Sequence, residues 1–303
     1  MDEITYSYNN NNITLVKVKV ANQPYNIMGF SRAGMITWIA ILELNLVFDM
    51  GQFCIRTAPY DNIFISHGHY DHIGGLPGHH CGRRLHNIYK EKMYVMPKQC
   101  IGPFKMIASA FSEMNCGKPG NHIKMIELVD TKLLLSESCA DIKPVLHNNN
   151  IFFKAIYMDH KITSFGYMLY RMSKKLKQEY VGLVKEEIIK IKKEIGANMT
   201  ETVYTPLVGY TGDTSIKAVL ENECFLTVPL LIMECTGFAP DDINTTCEGK
   251  HIHWNDIISN HTKFKNEKII LFHFSQQYKT MDDIQEYIKD MPESMVEKII
   301  FFI

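Results

Sequence analysis

Four side chains that bind metals lie within six positions of one short segment, FISHGHYDHIGG at residues 64–75. They are His67, His69, Asp71 and His72. The segment overlaps the end of an apolar run, 62–66, which has the composition of a short buried strand. Imidazole and carboxylate are the usual ligands of Zn²⁺ and related divalent metals. Because four ligands are more than one ion easily collects from so short a loop, we expect two neighbouring metals.

Two metals need more ligands than this loop supplies, so others must come from elsewhere in the chain. Three candidates each follow an apolar run with strand character: His160 after 152–158, Asp213 after 207–210 and His273 after 269–272. A sheet would deliver such strand-end residues to one rim. Taken singly, each has a simpler interpretation. His160 could be a surface histidine, Asp213 a turn aspartate and His273 a core histidine with its hydrogen bonds satisfied. Together with the four-ligand loop, they predict one metal centre.

The rest of the chain alternates strand and helix patterns. Further strands are predicted at 13–20, 37–41, 45–48, 93–96, 166–170, 230–233 and 299–302. Helices are predicted at 99–113, 174–195, 215–221, 254–260 and 282–289, and the second has a stripe of Val184, Ile188, Ile191 and Ile195. This mix suggests sheets covered by helices. Nothing resembles a flexible linker, so we expect a single domain over 1–303.

Composition and charge exclude several classes of protein. The 303 residues are 46% hydrophobic with a net charge of −1, so no global field attracts nucleic acid, and RNA binding would need local basic patches. The N-terminus lacks the basic-then-apolar pattern of a secretory signal, and the early apolar run 35–48 is too short to span a bilayer. Eight scattered cysteines without a C-x-x-C pair read as reduced thiols. We expect an intracellular protein, cytoplasmic or nuclear, with no membrane partner.

The order H-x-H-x-D-H, a later His, G-D-T and a final His resembles that of the metallo-β-lactamase fold hydrolases. Within that superfamily the chain resembles tRNase Z, the tRNA 3′-processing endonucleases, and most of all their short eukaryotic form. The matching segments are FISHGHYDHIGGLP, KLKQEYVGL, TPLVGYTGDT, MECTGF and HIHWNDIISNHTKFKNEKIILFHFSQQY. H-x-H-x-D-H alone indicates only the fold, whereas HFSQQY and the KLKQEY to TGDT block are more discriminating.

The resemblance implies a metallo-β-lactamase αβ/βα four-layer sandwich, an α/β fold of two mixed β-sheets flanked by helices. It also implies two Zn²⁺ per chain, with Mn²⁺ as an alternative. One zinc would be held by His67, His69 and His160, and the second by Asp71, His72 and His273, with Asp213 bridging both. Two such ions about 3.5–4 Å apart lower the pKa of a shared water and stabilise both the attacking and the leaving oxygen in a displacement at phosphorus.

Two further residues match positions of the family that are not metal ligands. Glu234 in MECTGF and His251 in GKHIHW would form a pair that supplies a proton to the leaving 3′ oxygen. Alternatively, Glu234 is a buried strand-end acid satisfied by the backbone, and His253 competes with His251 for the role. Asp71 is the third residue predicted to be catalytic, through its contact with the metals.

A tRNA substrate also needs phosphate contacts, and one local segment supplies positive charge. Residues 171–194 hold eight basic and four acidic side chains, so 171–205 is a candidate RNA-binding arm in which Lys190, Lys192 and Lys193 would contact RNA. The simpler interpretation is the solvated face of an amphipathic helix. Arg83 and Arg84 lie closer in sequence to His72 and are candidates for holding the scissile region. The family also implies a homodimer in which the arm of one subunit holds the tRNA cut by the other.

Three functions stay open at this point. The first is a zinc phosphodiesterase that cleaves the 3′ trailer of precursor tRNA, or another RNA, with a metal-activated water. The second is an amide or thioester hydrolase on the same fold, such as a β-lactamase, although His72 and Asp213 disfavour that because true zinc β-lactamases use a Cys ligand. The third is a non-catalytic RNA-binding relative, against which the complete ligand set argues.

Overall fold

Two seven-stranded β-sheets form the centre of the molecule. The structure is a computed structural model and describes residues 13–114, 123–128, 143–145 and 148–303. In the first sheet the strands lie side by side in chain order. They are β1 (Thr14–Val20), β2 (Gln23–Arg32), β3 (Ile36–Ile41), β4 (Leu46–Phe48), β5 (Asn62–Phe64), β6 (Lys92–Pro97) and β7 (Ile123–Leu128). Strands β1 to β4 are antiparallel and β4 to β7 are parallel.

The second sheet repeats this arrangement with the later half of the chain. Its strands again lie in chain order. They are β8 (Lys143–Val145), β9 (Asn148–Met158), β10 (Ser164–Leu176), β11 (Thr200–Tyr210), β12 (Leu230–Glu234), β13 (Lys268–Phe272) and β14 (Ile299–Phe301). Strands β8 to β11 are antiparallel and β11 to β14 are parallel. Both sheets are therefore mixed, as predicted.

Ten α-helices connect the strands of the described part of the chain. Those of the first half are α1 (Tyr70–Ile73), α2 (Leu76–Leu85) and α3 (Lys98–Met114). Those of the second half are α4 (Lys185–Ile195), α5 (Ile216–Glu221), α6 (Glu223–Thr227), α7 (Ile243–Gly249), α8 (Trp254–Ser259), α9 (Met281–Ile288) and α10 (Glu293–Val296). Short 3₁₀ turns lie at Leu42–Leu44, Gln178–Tyr180, Gly196–Met199, Pro240–Asp242 and His261–Lys263.

Three apolar clusters hold these layers together. The central cluster joins side chains of both sheets, such as Phe48 and Phe64 from the first with Tyr210 and Phe272 from the second. A second cluster lies between the other face of the second sheet and helices that include α8 and α9. A third lies between the other face of the first sheet and α3. Helix, sheet, sheet and helix thus form four layers, which confirms the predicted sandwich.

The predicted helix over 174–195 is wrong in its first half. Strand β10 continues to Leu176 because its last residues pair with the start of β11, with Lys174 opposite Thr202. Gly182 has a φ of +93°, which a continuous helix does not allow, and α4 begins only at Lys185. The end of β10, α4 and the start of β11 together make up residues 171–205, which we call the arm.

Strand direction explains why the candidate residues meet. Strands β11, β12 and β13 are parallel, and β9 runs the same way because it is separated from β11 by the antiparallel β10. Their carboxyl ends therefore open at one edge of the second sheet. Strand β5 of the first sheet ends at Phe64, just before the histidine loop. None of the helices in the described ranges has the length and apolar character that a membrane span requires.

Candidate metal centre and proton donor

The first ligand group combines the loop after β5 with the ends of β9 and β11. His69 Nδ1 lies 2.9 Å from His67 Nε2 and 3.3 Å from His160 Nε2. Asp213 completes the group, with Oδ2 3.7 Å from His67 Nε2. One ligand atom from each of the four lies within 4.8 Å of the others. Imidazoles and a carboxylate that converge in this way match the donor set of a Zn²⁺ site.

The second ligand group joins α1 to the end of β13. His72 Nε2 is 3.3 Å from His273 Nε2, and Asp71 Oδ2 is 3.5 Å from each of these nitrogens. Asp213 faces this group as well, because its Oδ2 is 3.3 Å from His72 and 3.2 Å from His273. Asp213 therefore stands between the two groups. All seven residues predicted as ligands lie together at this edge of the sheets.

Each buried imidazole of the two groups has a partner on the ring nitrogen that faces away from the centre. The pairs are His67 Nδ1 with Ser66 Oγ at 2.9 Å, His72 Nδ1 with Asp49 Oδ2 at 2.7 Å, His273 Nδ1 with Thr236 Oγ1 at 3.1 Å and His160 Nδ1 with Lys250 O at 3.4 Å. Such contacts fix the tautomer and the orientation of a ring. The remaining nitrogen of each ring is thereby presented to the centre.

Asp49 is a candidate site residue that the sequence did not single out. Its buried carboxylate accepts hydrogen bonds from the backbone and hydroxyl of Ser66, from His72 and from the Tyr210 hydroxyl at 2.5 Å. It comes directly after β4, in the apolar run LVFDM. The same strand-end signal identified His160, so it could have identified Asp49.

Two backbone positions at the centre adopt the left-handed conformation. Gly212, which precedes Asp213, has a φ of +60°, and a Cβ on it would lie 2.6 Å from the Cβ of Ser66. Only glycine fits this turn. His273 has a φ of 66°, which is uncommon outside glycine, and its N–H donates to Ser31 Oγ at 3.0 Å. The surroundings thus hold His273 in a conformation that it would not adopt alone.

Electrostatics at the first group favour neutral imidazoles. Burial lowers the pKa of His67 well below its ordinary value, and the neighbouring His72 adds to this. Burial also lowers the pKa values of His69 and His160. A metal binds imidazole through a free lone pair, so rings that are neutral at pH 7 are ready to bind it.

In the protein without metal, the pKa shifts of the second group favour charged side chains instead. Burial opposes the charge of His72, but the carboxylates of Asp213 and Asp49 raise its pKa well above the ordinary value. Burial likewise opposes the charge of Asp213, but His273 and His72 hold the pKa of this carboxyl well below its usual range. A metal entering here would displace a proton from His72.

One buried atom supports the fit of a cation to these residues. Asp213 Oδ1 is fully buried and accepts no hydrogen bond from the described part of the chain. A buried carboxylate oxygen without a partner is costly, and a bound cation satisfies it. Together with three imidazoles on one side and two on the other, it makes the donor set appropriate for two borderline divalent metals.

Glu234 and His251 form the pair that the sequence predicted. Glu234 ends β12 fully buried, and its Oε1 is 3.0 Å from His251 Nδ1. The carboxylate also accepts from the backbone of Thr214 at 2.6 Å and of Ile252 at 3.2 Å. Although burial opposes its charge, the adjacent Glu234 raises the pKa of His251 to about 9. His251 is therefore positively charged at neutral pH.

His251, and not His253, faces the metal ligands. His251 Nδ1 is 3.9 Å from Asp213 Oδ2, and its ring stacks against His273 with centroids 5.3 Å apart. Both nitrogens of His253 are engaged elsewhere, since Nε2 contacts Ala239 O at 2.9 Å and Nδ1 accepts from Asn255 at the start of α8. Ligand atoms of Asp213, His251 and His273 can also lie within 4.8 Å of one another, so a metal-binding role of His251 is an alternative to test.

The structure contradicts the prediction that Arg83 contacts RNA. Its side chain is only 1% exposed and is paired with Asp61 Oδ1 at 2.6 Å, while it also donates to Tyr60 O. The guanidinium is therefore buried and bound within the protein, where it does not reach an RNA substrate. The side chain of Arg84, in the same helix, lies outside the described residues.

The arm carries the remaining predicted RNA contacts. Lys190, Lys192 and Lys193, which we call the α4 lysines, are all exposed. None of the side chains of α4 is fully buried, and the predicted apolar stripe at Ile188, Ile191 and Ile195 is only half-buried. The basic face is therefore accessible to a large anionic partner.

Solved structures share this fold. Human tRNase Z, short form, is 17% identical with a TM-score of 0.54, and the alignment covers 96% of this chain and 97% of that one. The metallo-β-lactamase fold protein YhfI from Bacillus subtilis is 13% identical with a TM-score of 0.55, covering 92% and 97%. These likenesses support the metallo-β-lactamase fold.

Sequence comparison identifies the family. No protein-family profile matches the chain. It is 30% identical over 284 residues to tRNase Z TRZ2, chloroplastic, from Arabidopsis thaliana, covering 92% of this chain and 75% of that protein. It is also 30% identical over 279 residues to tRNase Z TRZ1 from the same plant, covering 91% of this chain and 94% of that one. This chain therefore belongs to the tRNase Z family.

Proposed function

We propose that this chain is a metal-dependent endoribonuclease that removes the 3′ trailer of precursor tRNA. One observation carries the proposal: seven candidate ligand side chains from both sheets converge beside the buried Glu234 and its half-buried partner His251. A phosphodiester hydrolase needs both parts, a cationic centre for the phosphate and a proton donor for the leaving oxygen. The tRNA substrate is inferred from the relatives named tRNase Z, which match most of this chain.

We assign the cofactor as two Zn²⁺, with Mn²⁺ as the alternative, because Asp213 is shared by two groups of nitrogen and oxygen donors. His67, His69 and His160 would hold one ion, and Asp71, His72 and His273 the other, as the resemblance to the family implied. When bound, such a pair supplies Lewis acidity to the phosphate and lowers the pKa of water.

The chain's own side chains supply orientation and a proton. The Asp71 carboxylate is held by the backbone N–H of Gly34, which donates to Oδ2 at 2.8 Å. His251 carries a proton at neutral pH, because its pKa is raised to about 9 beside Glu234. It donates this proton to the leaving 3′ oxygen, and Glu234 holds the ring in place through Nδ1. The groups that contact the outward-facing nitrogens of the ligand histidines keep these rings from rotating away from the centre.

The α4 lysines are proposed to bind RNA phosphates far from the cleavage site. Strand β10 begins beside the metal ligands and has 13 residues. At about 3.3 Å per residue its other end lies about 40 Å away. Replacing all three lysines with Ala should weaken binding of precursor tRNA. The control replaces three other exposed lysines, which are Lys17, Lys19 and Lys105.

The chain is further proposed to act as one domain over 1–303 with the arm as an appendage, and to form a homodimer in solution. The single domain is proposed because nothing in the sequence resembles a flexible linker, and the homodimer because the family resemblance implies it. If light scattering finds a stable monomer, and this monomer has full activity on precursor tRNA, the proposed homodimer is wrong. We also propose a location in the cytoplasm or nucleus, which imaging of a fluorescent fusion tests; one relative carries the name nuclear ribonuclease Z.

The decisive experiment offers the purified, zinc-loaded protein a precursor tRNA with a 3′ extension, and maps the new 3′ end. We expect one cut at the boundary of the trailer. Asp213→Ala should abolish it, whereas Asp290→Ala, at an exposed position, should not. A chromogenic β-lactam serves as the second substrate. Efficient β-lactam hydrolysis without RNA cleavage would overturn the proposal.

A further inference from the structure

An ion pair at the edge of the metal centre joins two of its loops. Lys250 Nζ lies 2.7 Å from Asp159 Oδ1. Asp159 directly precedes the metal-ligand candidate His160, and Lys250 directly precedes the proton donor His251. The pair therefore connects the loop after β9 to the loop after α7.

Asp159 is also fixed to a third loop of the site. Its Oδ2 accepts from the Ser215 hydroxyl at 2.7 Å, and its carbonyl accepts from the Ser215 backbone at 2.9 Å. Ser215 lies two residues after Asp213. One carboxylate thus contacts the segments that carry His160, Asp213 and His251.

The main chain of Lys250 adopts an unusual conformation with a direct consequence for His160. Lys250 has a φ of 55°, and its N–H caps α7 by donating to Cys247 O and Thr246 O. Glycine is the usual residue at such a helix end, because a side chain there is disfavoured. In this conformation the Lys250 carbonyl lies 3.4 Å from His160 Nδ1. That contact turns Nε2 of His160 toward the ligand group, since the two ring nitrogens point in opposite directions.

We propose that the Asp159–Lys250 ion pair positions both the ligand His160 and the donor His251. Lys250 is a positioning residue, because it acts through these two side chains. The charge on Nζ holds the residue in the left-handed conformation, and the carbonyl then orients His160. The part concerning His251 rests on the proposed function, whereas the part concerning His160 rests only on metal binding.

The ion pair is exposed to solvent, so its positioning role can be tested separately from any contribution to the stability of the fold. The side chain of Lys250 is 44% exposed and that of Asp159 39% exposed. Ion pairs exposed to solvent contribute little to folding. Breaking this one should therefore leave the fold intact and disturb only the geometry of the site.

The test uses two variants that break the pair in different ways. Lys250→Met removes the charge and keeps a side chain of similar length, so the left-handed conformation of residue 250 is no longer held by the ion pair. Asp159→Asn removes the partner charge but keeps the shape of the side chain. Lys250→Arg keeps a cation and should rescue. The matched control is Lys289→Ala, which breaks the exposed pair with Glu286.

The first measurement is zinc affinity of the metal-free protein, by competition with a coloured chelator. We expect both pair-breaking variants to bind the zinc of the His67, His69 and His160 group roughly tenfold less tightly, at the low end of the effect of a residue that contacts a metal ligand. The Arg variant and the control should match the wild type. Unchanged zinc affinity in both pair-breaking variants would overturn the proposal for His160, whatever the protein does with RNA.

The second measurement compares kcat on precursor tRNA with kcat on bis(p-nitrophenyl) phosphate, at saturating zinc. A displaced His251 should reduce kcat on tRNA with KM unchanged and spare the ester, whose leaving group needs no proton. Equal kcat values for wild type and variants on tRNA would overturn the part concerning His251. If the wild type itself cleaves no tRNA, the proposed function fails while the zinc result still decides the role of the ion pair.

Discussion

Replacing His251 with Ala separates proton donation from metal binding. The ring has 3.0 Å and 3.9 Å contacts to Glu234 and Asp213, but it is not a member of either ligand group centred on the histidine loop. Removing it leaves Glu234 with hydrogen bonds from the backbone of Thr214 and Ile252. The buried carboxylate therefore stays satisfied, and we expect the fold to be retained.

The expected loss follows from the role of a general acid. A positioned proton donor contributes about 10²–10⁴-fold to rate. At about 1.36 kcal/mol per factor of ten, this is roughly 2.7–5.4 kcal/mol of barrier. His251→Ala should lower kcat on precursor tRNA by that factor. It should change little on bis(p-nitrophenyl) phosphate, because nitrophenolate leaves without being protonated.

The assay measures kcat on both substrates and the zinc content of the same samples. His86→Ala, at an exposed histidine after α2, is the matched control and should behave as the wild type. Two outcomes would refute the reasoning. Equal losses on both substrates would show that His251 acts on a step common to both. Loss of zinc would show that it binds metal, as the alternative grouping with Asp213 and His273 allows.

Three further predictions concern other parts of the molecule. Replacing the α4 lysines with Ala should weaken precursor tRNA binding and reduce the slope of log affinity against log salt by up to about 0.9 per lost phosphate contact; unchanged binding in a filter or anisotropy assay would mean that these lysines are only a solvated face. Glu234→Gln should move the alkaline limb of the pH–rate profile to lower pH, because without the carboxylate the pKa of His251 falls from about 9 and its proton is lost earlier as pH rises. An alkaline limb at the wild-type pH would show that this limb does not report the titration of His251. Arg83→Ala should lower the free energy of unfolding by about 3–5 kcal/mol, since it leaves the buried Asp61 carboxylate without its charged partner; a denaturant titration matching the wild type would contradict this.

Much of the site was predictable because its signal is local. The spacing of His67, His69 and His72 and the placement of His160 and His273 after apolar runs identify strand ends, and parallel strands bring such ends together. Helix α3 and most strands were also predicted within a few residues. Strand β2 was missed, since PYNIMGFSR mixes polar and apolar residues without a continuous apolar run.

What the sequence does not determine depends on contacts between distant segments. The burial of Arg83 results from its pairing with Asp61, 22 residues away, and no local pattern distinguishes a buried arginine from one that binds RNA. The start of the arm has helical periodicity, yet pairing with β11 draws residues 174–176 into β10. The role of Lys250 depends on Asp159, 91 residues earlier in the chain.

Zinc content and cleavage measured on one preparation test most directly whether two metals at these residues drive the reaction. Elemental analysis of the purified protein should find about two zinc ions per chain. Removal of zinc by a chelator should abolish cleavage of precursor tRNA, and adding zinc back should restore it. His69→Ala should lose both metal and activity. One tightly bound metal per chain with full activity on precursor tRNA would contradict the two-metal centre.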